Sequence, residues 1–182
     1  MNHPIHSPIY WSLLTYEDWR LHMAATPAGL CFVGSLNAPC SELAAWSQAR
    51  FKSRTLIRDD VQLQPYAAEL LEYLQGGRQH FTVASDLHGT AFQLAVWDAL
   101  DGIPYGQTVS YSDIARQIQR PAAVRAVGAA IGANPLLITV PCHRVIGKNG
   151  ALTGYRGGME MKNLLLRLEK NGLLAEGGLQ HA

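Results

Sequence analysis

The chain has 182 residues and a mass of 19.9 kDa, enough for one ordinary domain or two small ones. Hydrophobic residues make up 48% and charged residues 16%, with a net charge of +1, which excludes a disordered chain and a globally basic nucleic-acid binder. No apolar run approaches the roughly 20 residues of a membrane span, and residues 1–10 carry prolines and histidines where a signal peptide would carry a basic and then an apolar stretch.

Residues 10–14 and 29–36 are short apolar runs with strand-like residues, punctuated by Pro27, Gly29 and Asn37. Residues 41–49 read as a short helix capped by Ser41, with Glu42 in its first turn. Residues 65–74 read as a second helix. Pro65 fits its first turn, Leu70, Leu71 and Leu74 recur at helical spacing, and Gln75-Gly76-Gly77 ends it. Residues 81–84 are a further strand candidate, and the polar stretch 85–90 is a linker.

The rest is mostly helical. Thr90 caps a helix through Leu100, and Ser110 caps another, with Asp113 completing a short capping box. A third helix starts at Arg120-Pro121, with Val124, Val127, Gly128 and Ile131 at i, i+3, i+4, i+7 as its inward face, and Asn134-Pro135 stops it. The second and third helices suggest a helix-turn-helix. Residues 136–140 read as a buried strand or extended run. Residues 158–171 form the last helix, with Met161, Leu164, Leu165 and Leu168 inward and Gly172 closing it. The fold class is therefore α/β: a small mixed α/β domain at 1–84, a linker at 85–90, a helical domain with a helix-turn-helix at 91–172, and a loose tail at 173–182.

Charge is more useful when split. Residues 1–87 hold six Lys/Arg against eight Asp/Glu, and residues 88–172 hold nine against five. The mildly basic second part suits a short contact with nucleic-acid phosphates, although ordinary scatter in surface charge gives the same balance. Three cysteines are too few for a disulfide framework and fit a reducing, cytoplasmic setting. Cys31, Cys40, His22 and His80 are of the right types for zinc, but their spacings form no tight pair, so no metal is expected.

Cys142 carries the chemistry. An apolar run leads into Val140-Pro141-Cys142-His143-Arg144-Val145. A reactive thiolate needs positive charge or a base beside it, and His143 and Arg144 are candidates for both. The bland alternative is a small buried apolar residue. An adjacent Cys-His pair argues against a papain-like protease, whose histidine comes from far along the chain.

Pro141-Cys142-His143-Arg144-Val145 resembles the active-site motif of the O6-alkylguanine-DNA alkyltransferases. The resemblance continues through Ile103-Pro104-Tyr105-Gly106, Ser110-Tyr111, Ala123-Val124-Arg125-Ala126-Val127-Gly128, Asn134-Pro135 and Gly154-Tyr155-Arg156-Gly157-Gly158, all in the family's order. It covers roughly residues 88–172; residues 1–87 match only in size and mixed character. The resemblance implies a single-turnover methylated-DNA–protein-cysteine methyltransferase without a cofactor. It moves an alkyl group from O6-alkylguanine in double-stranded DNA, with O4-alkylthymine a further candidate, irreversibly onto Cys142. The base must be flipped out to be reached.

The same resemblance assigns roles. His143 reaches Cys142 through a water and Glu169 orients His143. Tyr111 helps rotate a phosphate and gives a proton to the guanine, and Asn134 is a hinge beside the active site. Arg125, among the small residues Ala122, Ala129 and Gly132, fills the gap left by the flipped base in the minor groove. Val145 offers its carbonyl to the guanine amine, and Tyr155 and Arg156 belong to the loop over the pocket. Arg156 stands where some members have serine, so the part carried over is its backbone N–H. A monomer with no membrane contact is expected. Two rivals are a reader of alkylated DNA, which would lack the cysteine, and an alkylation-sensing regulator, for which the chain leaves no added DNA-binding domain.

Overall fold

The computed structural model describes residues 7–179, so expectations made for residues 1–6 and 180–182 lie outside it. The chain divides into two compact units between His88 and Gly89.

The first unit is built on a four-stranded sheet of order β3-β2-β1-β4. β1 (Ile9–Tyr16), β2 (Trp19–Thr26) and β3 (Gly29–Val33) form an antiparallel meander, and β4 (Leu56–Arg58) pairs parallel to β1. β2 and β4 are absent from the sequence reading. β2 carries His22-Met23-Ala24-Ala25 in its middle, poor in strand formers, and β4 has only three residues. Side chains alternate across the sheet. Ile9 and Ala24 meet Leu43 of α1 (Cys40–Arg50) on one face, while Ser12 on the other bonds Asp60 of α2 (Asp60–Leu74) at 2.7 Å.

Three local expectations are corrected. Ser41 does not cap α1: the N-cap is Pro39, without a side-chain bond. Pro65 lies inside α2, because Asp59 starts the helix earlier by accepting from the N–H groups of Val61 and Gln62 at 3.1 and 3.0 Å. Residues 81–84 form no strand. The Glu69 carboxylate takes the N–H groups of Thr82 and Val83, and the chain meets β3 only in an isolated Leu30–Ser85 bridge.

The second unit begins with α3 (Ala91–Asp101), where Thr90 and Gln93 form a complete capping box. Its fully buried Trp97, not singled out from sequence, donates from Nε1 to the Ala130 carbonyl at 2.8 Å. The short strand β5 (Val109–Ser110) leads into α4 (Tyr111–Gln117), capped by Ser110 and Asp113 as expected. Residues 118–123 connect it to α5 (Val124–Gly132). That helix starts later than expected: Pro121 and Ala122 sit in a turn closed by Ala123 N–H to Arg120 O at 2.9 Å.

Residues 136–140 are buried, apart from half-buried Thr139, but are not a strand. Thr139 and Val140 donate back to Leu137 and Leu136 at 2.8 and 3.1 Å, and Ile138 takes a φ of 71°, so the segment coils on itself. A single 3₁₀ turn, Cys142–Arg144, follows, then β6 (Val145–Ile146), parallel to β5. α6 (Met159–Leu179) does not stop at Gly172. A Cβ at Gly172 would come within 2.5 Å of Tyr105 Oη, so this glycine serves close packing rather than a helix end. No helix among the described residues is long and apolar enough to cross a membrane.

Candidate active site

Cys142 opens the 3₁₀ turn at the floor of a cavity of about 390 Å³. Tyr111, Gly128, Ile131, Gly132, Gly154, Tyr155 and Arg156 line the rest. Gly128 and Gly132 lie one turn apart on α5 and present no side chain, so Ile131 is the one α5 side chain among the lining residues. The pairing of β5 with β6 ties the start of α4, and hence Tyr111, to the segment that follows Cys142. Tyr111 Oη lies 2.8 Å from Thr153 Oγ1.

Asn134 is fully buried and organises the coil beneath the thiol. Its Oδ1 accepts from Leu136 N–H at 2.9 Å, and its Nδ2 meets Leu136 O, Val140 O and Cys142 Sγ at 3.2, 3.1 and 3.2 Å. Sulfur is thus held as an acceptor, the role a thiolate fills. Burial pushes the Cys142 thiol up, opposed by the Asn134 bond and then by the charges of Arg156 and Lys162. This corrects one expectation: Arg144 is not the cation that biases Cys142.

Arg144 is engaged elsewhere. Its Nε donates to Glu169 Oε1 and Oε2 at 3.1 and 3.0 Å, Nη2 donates to Oε1 at 2.8 Å, and Nη1 donates to Ile103 O at 2.6 Å. Glu169 also accepts Gly106 N–H at 3.1 Å and lies 2.7 Å from His143 Nε2. Burial alone would raise Glu169, but its bonds from His143 and Arg144 and their charge hold it far below the usual carboxylate range. Burial pushes His143 down, against the pull of Glu169. In the neutral ring the acceptor-only carboxylate places the hydrogen on Nε2, which makes Nδ1 the basic nitrogen. A buried base one residue from a buried thiol is the result.

The structure brings Cys142, His143, Glu169, Tyr111, Asn134, Tyr155 and Arg156 to one place. Arg125 and Ala129 lie apart from the cavity on the exposed face of α5, and Ala122 is exposed in the turn before it. The Val145 carbonyl accepts from Lys162 Nζ at 2.7 Å and keeps a second lone pair. Lys162 is a residue the sequence reading missed. It is fully buried and also donates to Thr153 O at 3.1 Å. A signal was present: Lys162, Leu165 and Glu169 fall at i, i+3, i+7, on the inward stripe of α6. Among the described residues no cluster of His, Cys, Asp and Glu is suited to a metal ion.

Comparison with known proteins covers both units of the chain. The DNA-binding domain of 6-O-methylguanine DNA methyltransferase matches residues 91–171, and the ribonuclease-like domain of the same family matches 9–87. An inducible methylated-DNA–protein-cysteine methyltransferase of Bacillus subtilis is 65% identical over 162 residues, 89% of this chain and 90% of that protein. The crystal structure of the O6-methylguanine methyltransferase of Mycobacterium tuberculosis is 39% identical, with a TM-score of 0.75 over 90% of this chain and 93% of that one. A structure described as Mycobacterium tuberculosis OGT in complex with DNA matches at the same identity and TM-score, over 90% and 94%. With both domains matched in order and a relative this similar along nearly its full length, the chain belongs to the 6-O-methylguanine DNA methyltransferase family.

Proposed function

We propose that this chain repairs duplex DNA by direct reversal, taking the alkyl group of O6-alkylguanine onto Cys142 once and keeping it. The observation that carries the reading is the buried Cys142 sulfur, held as an acceptor by Asn134 on the floor of the cavity, next to buried His143, whose Nε2 lies 2.7 Å from the Glu169 carboxylate. The thiol proton passes through a water to His143 Nδ1, and Glu169 stabilises the imidazolium that forms. The sulfur attacks the alkyl carbon, the C–O6 bond breaks, and its electron pair stays with the guanine. Tyr111 hydroxyl supplies the proton the guanine then needs, and the thioether remains on the protein.

The target base reaches the cavity only after flipping, which costs a few kcal/mol of stacking. The α4–α5 pair acts as a helix-turn-helix. The face of α5 that carries Ala126, Ala129 and Gly132 is nearly bare, so it enters the minor groove and Arg125 replaces the flipped base. The reading includes action as a monomer in the cytoplasm, and O4-alkylthymine as a second substrate.

The test is intact-protein mass after mixing with a duplex carrying one O6-methylguanine. A gain of about 14 Da, absent in Cys142→Ala, is expected. Tight binding without a mass gain would make the chain a reader of lesions instead. Arg125→Ala should slow repair of the duplex by about tenfold and leave reaction with free O6-benzylguanine unchanged. Equal losses on both would remove the flipping role.

A further inference from the structure

The loop over the cavity is fastened on two sides. On one side Thr153 meets Tyr111 Oη through its hydroxyl at 2.8 Å and accepts from Lys162 Nζ through its carbonyl at 3.1 Å. On the other side Arg156 donates from Nε to Asn134 O at 2.8 Å and from Nη2 to Pro135 O at 3.2 Å. Gly154 and Tyr155, which line the cavity, stand between these anchors. Gly158, just beyond, takes a φ of 92°, a left-handed conformation that frees the chain to turn into α6.

Asn134 also holds the nucleophile. Its backbone carbonyl takes the Arg156 guanidinium, and its side-chain amide holds Cys142 Sγ at 3.2 Å. The roof of the cavity and the nucleophile on its floor are therefore tied to the same residue. We propose that Arg156 is a positioning residue whose guanidinium latches the roof to Asn134 and Pro135, so that closing the loop over a flipped base and aiming the Cys142 sulfur become one event. The planar guanidinium presents two donors to carbonyls of consecutive residues. A serine, the residue the family resemblance gives for this place in some members, has neither the reach nor the second donor. The cation adds a second effect, because its charge favours the thiolate across the cavity.

This inference rests on the alkyl-transfer reading above, so the experiment starts with wild-type protein and the O6-methylguanine duplex. Failure of the wild type to gain mass overturns that reading and the latch with it. Given transfer by the wild type, Arg156→Ala is compared in two assays. The first is the rate of methyl transfer at saturating duplex, expected to fall by about tenfold or more with the duplex Kd unchanged. The second is the pH midpoint for Cys142 labelling by iodoacetamide, read by peptide mass spectrometry, expected to move up. Arg156→Lys should restore the midpoint but only part of the rate, since an ammonium on a shorter reach holds one carbonyl less well. If Arg156→Ala does not fold, Arg156→Gln replaces it, losing the charge at similar length. A rate and midpoint equal to wild type in the neutral variant overturn the latch alone. A fallen rate with an unmoved midpoint, unimproved by lysine, also overturns it, because that pattern marks general damage to the loop.

Discussion

Cys31 and Cys142 are both buried and both free, one in each unit of the chain, yet their surroundings are opposite. Cys31 sits at an irregularity in the β2–β3 pairing and its thiol donates to the Ala24 carbonyl at 3.4 Å. A donating thiol must keep its proton. Burial, and then the Asp86 charge, push it up to about 12. Cys142 is as deeply buried, but its sulfur accepts from Asn134 and the charges that reach it are those of Arg156 and Lys162. Burial alone therefore makes a cysteine inert. The direction of the hydrogen bond and the sign of the nearest charges separate a packing residue from a nucleophile.

The largest break in that contrast comes from the carboxylate behind Cys142. Glu169→Gln leaves the Arg144 guanidinium buried without its anion, which costs about 3–5 kcal/mol, and it removes the group that orients His143. Acid sensitivity changes too. Glu169 has a folded pKa depressed below 4.5, so its contribution is complete above pH 4.5 and is lost as pH falls through the folded value. His143 is depressed below 6.5, so the unfolded chain takes its proton first and stability starts to fall below pH 6.5. Wild-type protein should lose stability in both windows, whereas Glu169→Gln should lose it only in the higher one. Urea unfolding at a series of pH values distinguishes them, and parallel profiles would refute the assignment.

Asn134→Asp sharpens the comparison by giving Cys142 the electrostatics of Cys31. The side chain keeps its shape but exchanges its Nδ2 donor for a charged acceptor facing Leu136 O, Val140 O and Cys142 Sγ. The pH midpoint for iodoacetamide labelling of Cys142 should rise. Each unit of that rise removes about tenfold of the thiolate at neutral pH, and methyl transfer should slow in proportion. Labelling that matches wild type would mean the amide contact is structural only.

What the sequence disclosed follows the range of the interactions involved. The Thr90 cap and the Ser110/Asp113 capping box are local and were legible, although the Gln93 half of the Thr90 box was not read. So were the inward stripe of α5 and the chemistry-bearing run around Cys142. Residues 136–140 were not, since an apolar run looks the same whether it pairs with a neighbouring strand or coils on an asparagine. Arg144 was misread because the anion that claims it lies 25 positions later in the chain, on another helix. Lys162 was overlooked although its place beside Met161 on an apolar stripe should have marked a lysine with buried acceptors. The first unit was the harder half to read: an alanine-rich strand and a three-residue strand carry little pattern, and nothing in them bears chemistry.

The smallest effect is expected at Cys31, and it tests the comparison from its inert side. Cys31→Ser keeps a donor to the Ala24 carbonyl and replaces a large soft atom by a smaller polar one among Ile9, Ala24, Phe32 and Leu43. It should cost about 1–2 kcal/mol, read by urea unfolding, and leave the rate of methyl transfer unchanged. In wild-type protein at pH 8, a thiol near 12 is ionised in only about one molecule in ten thousand. Iodoacetamide should therefore label exposed Cys40 and pass over Cys31 while the fold holds. Labelling of Cys31 as fast as Cys40, or a slower transfer in Cys31→Ser, would show that its proton is less firmly held than its bond to Ala24 implies.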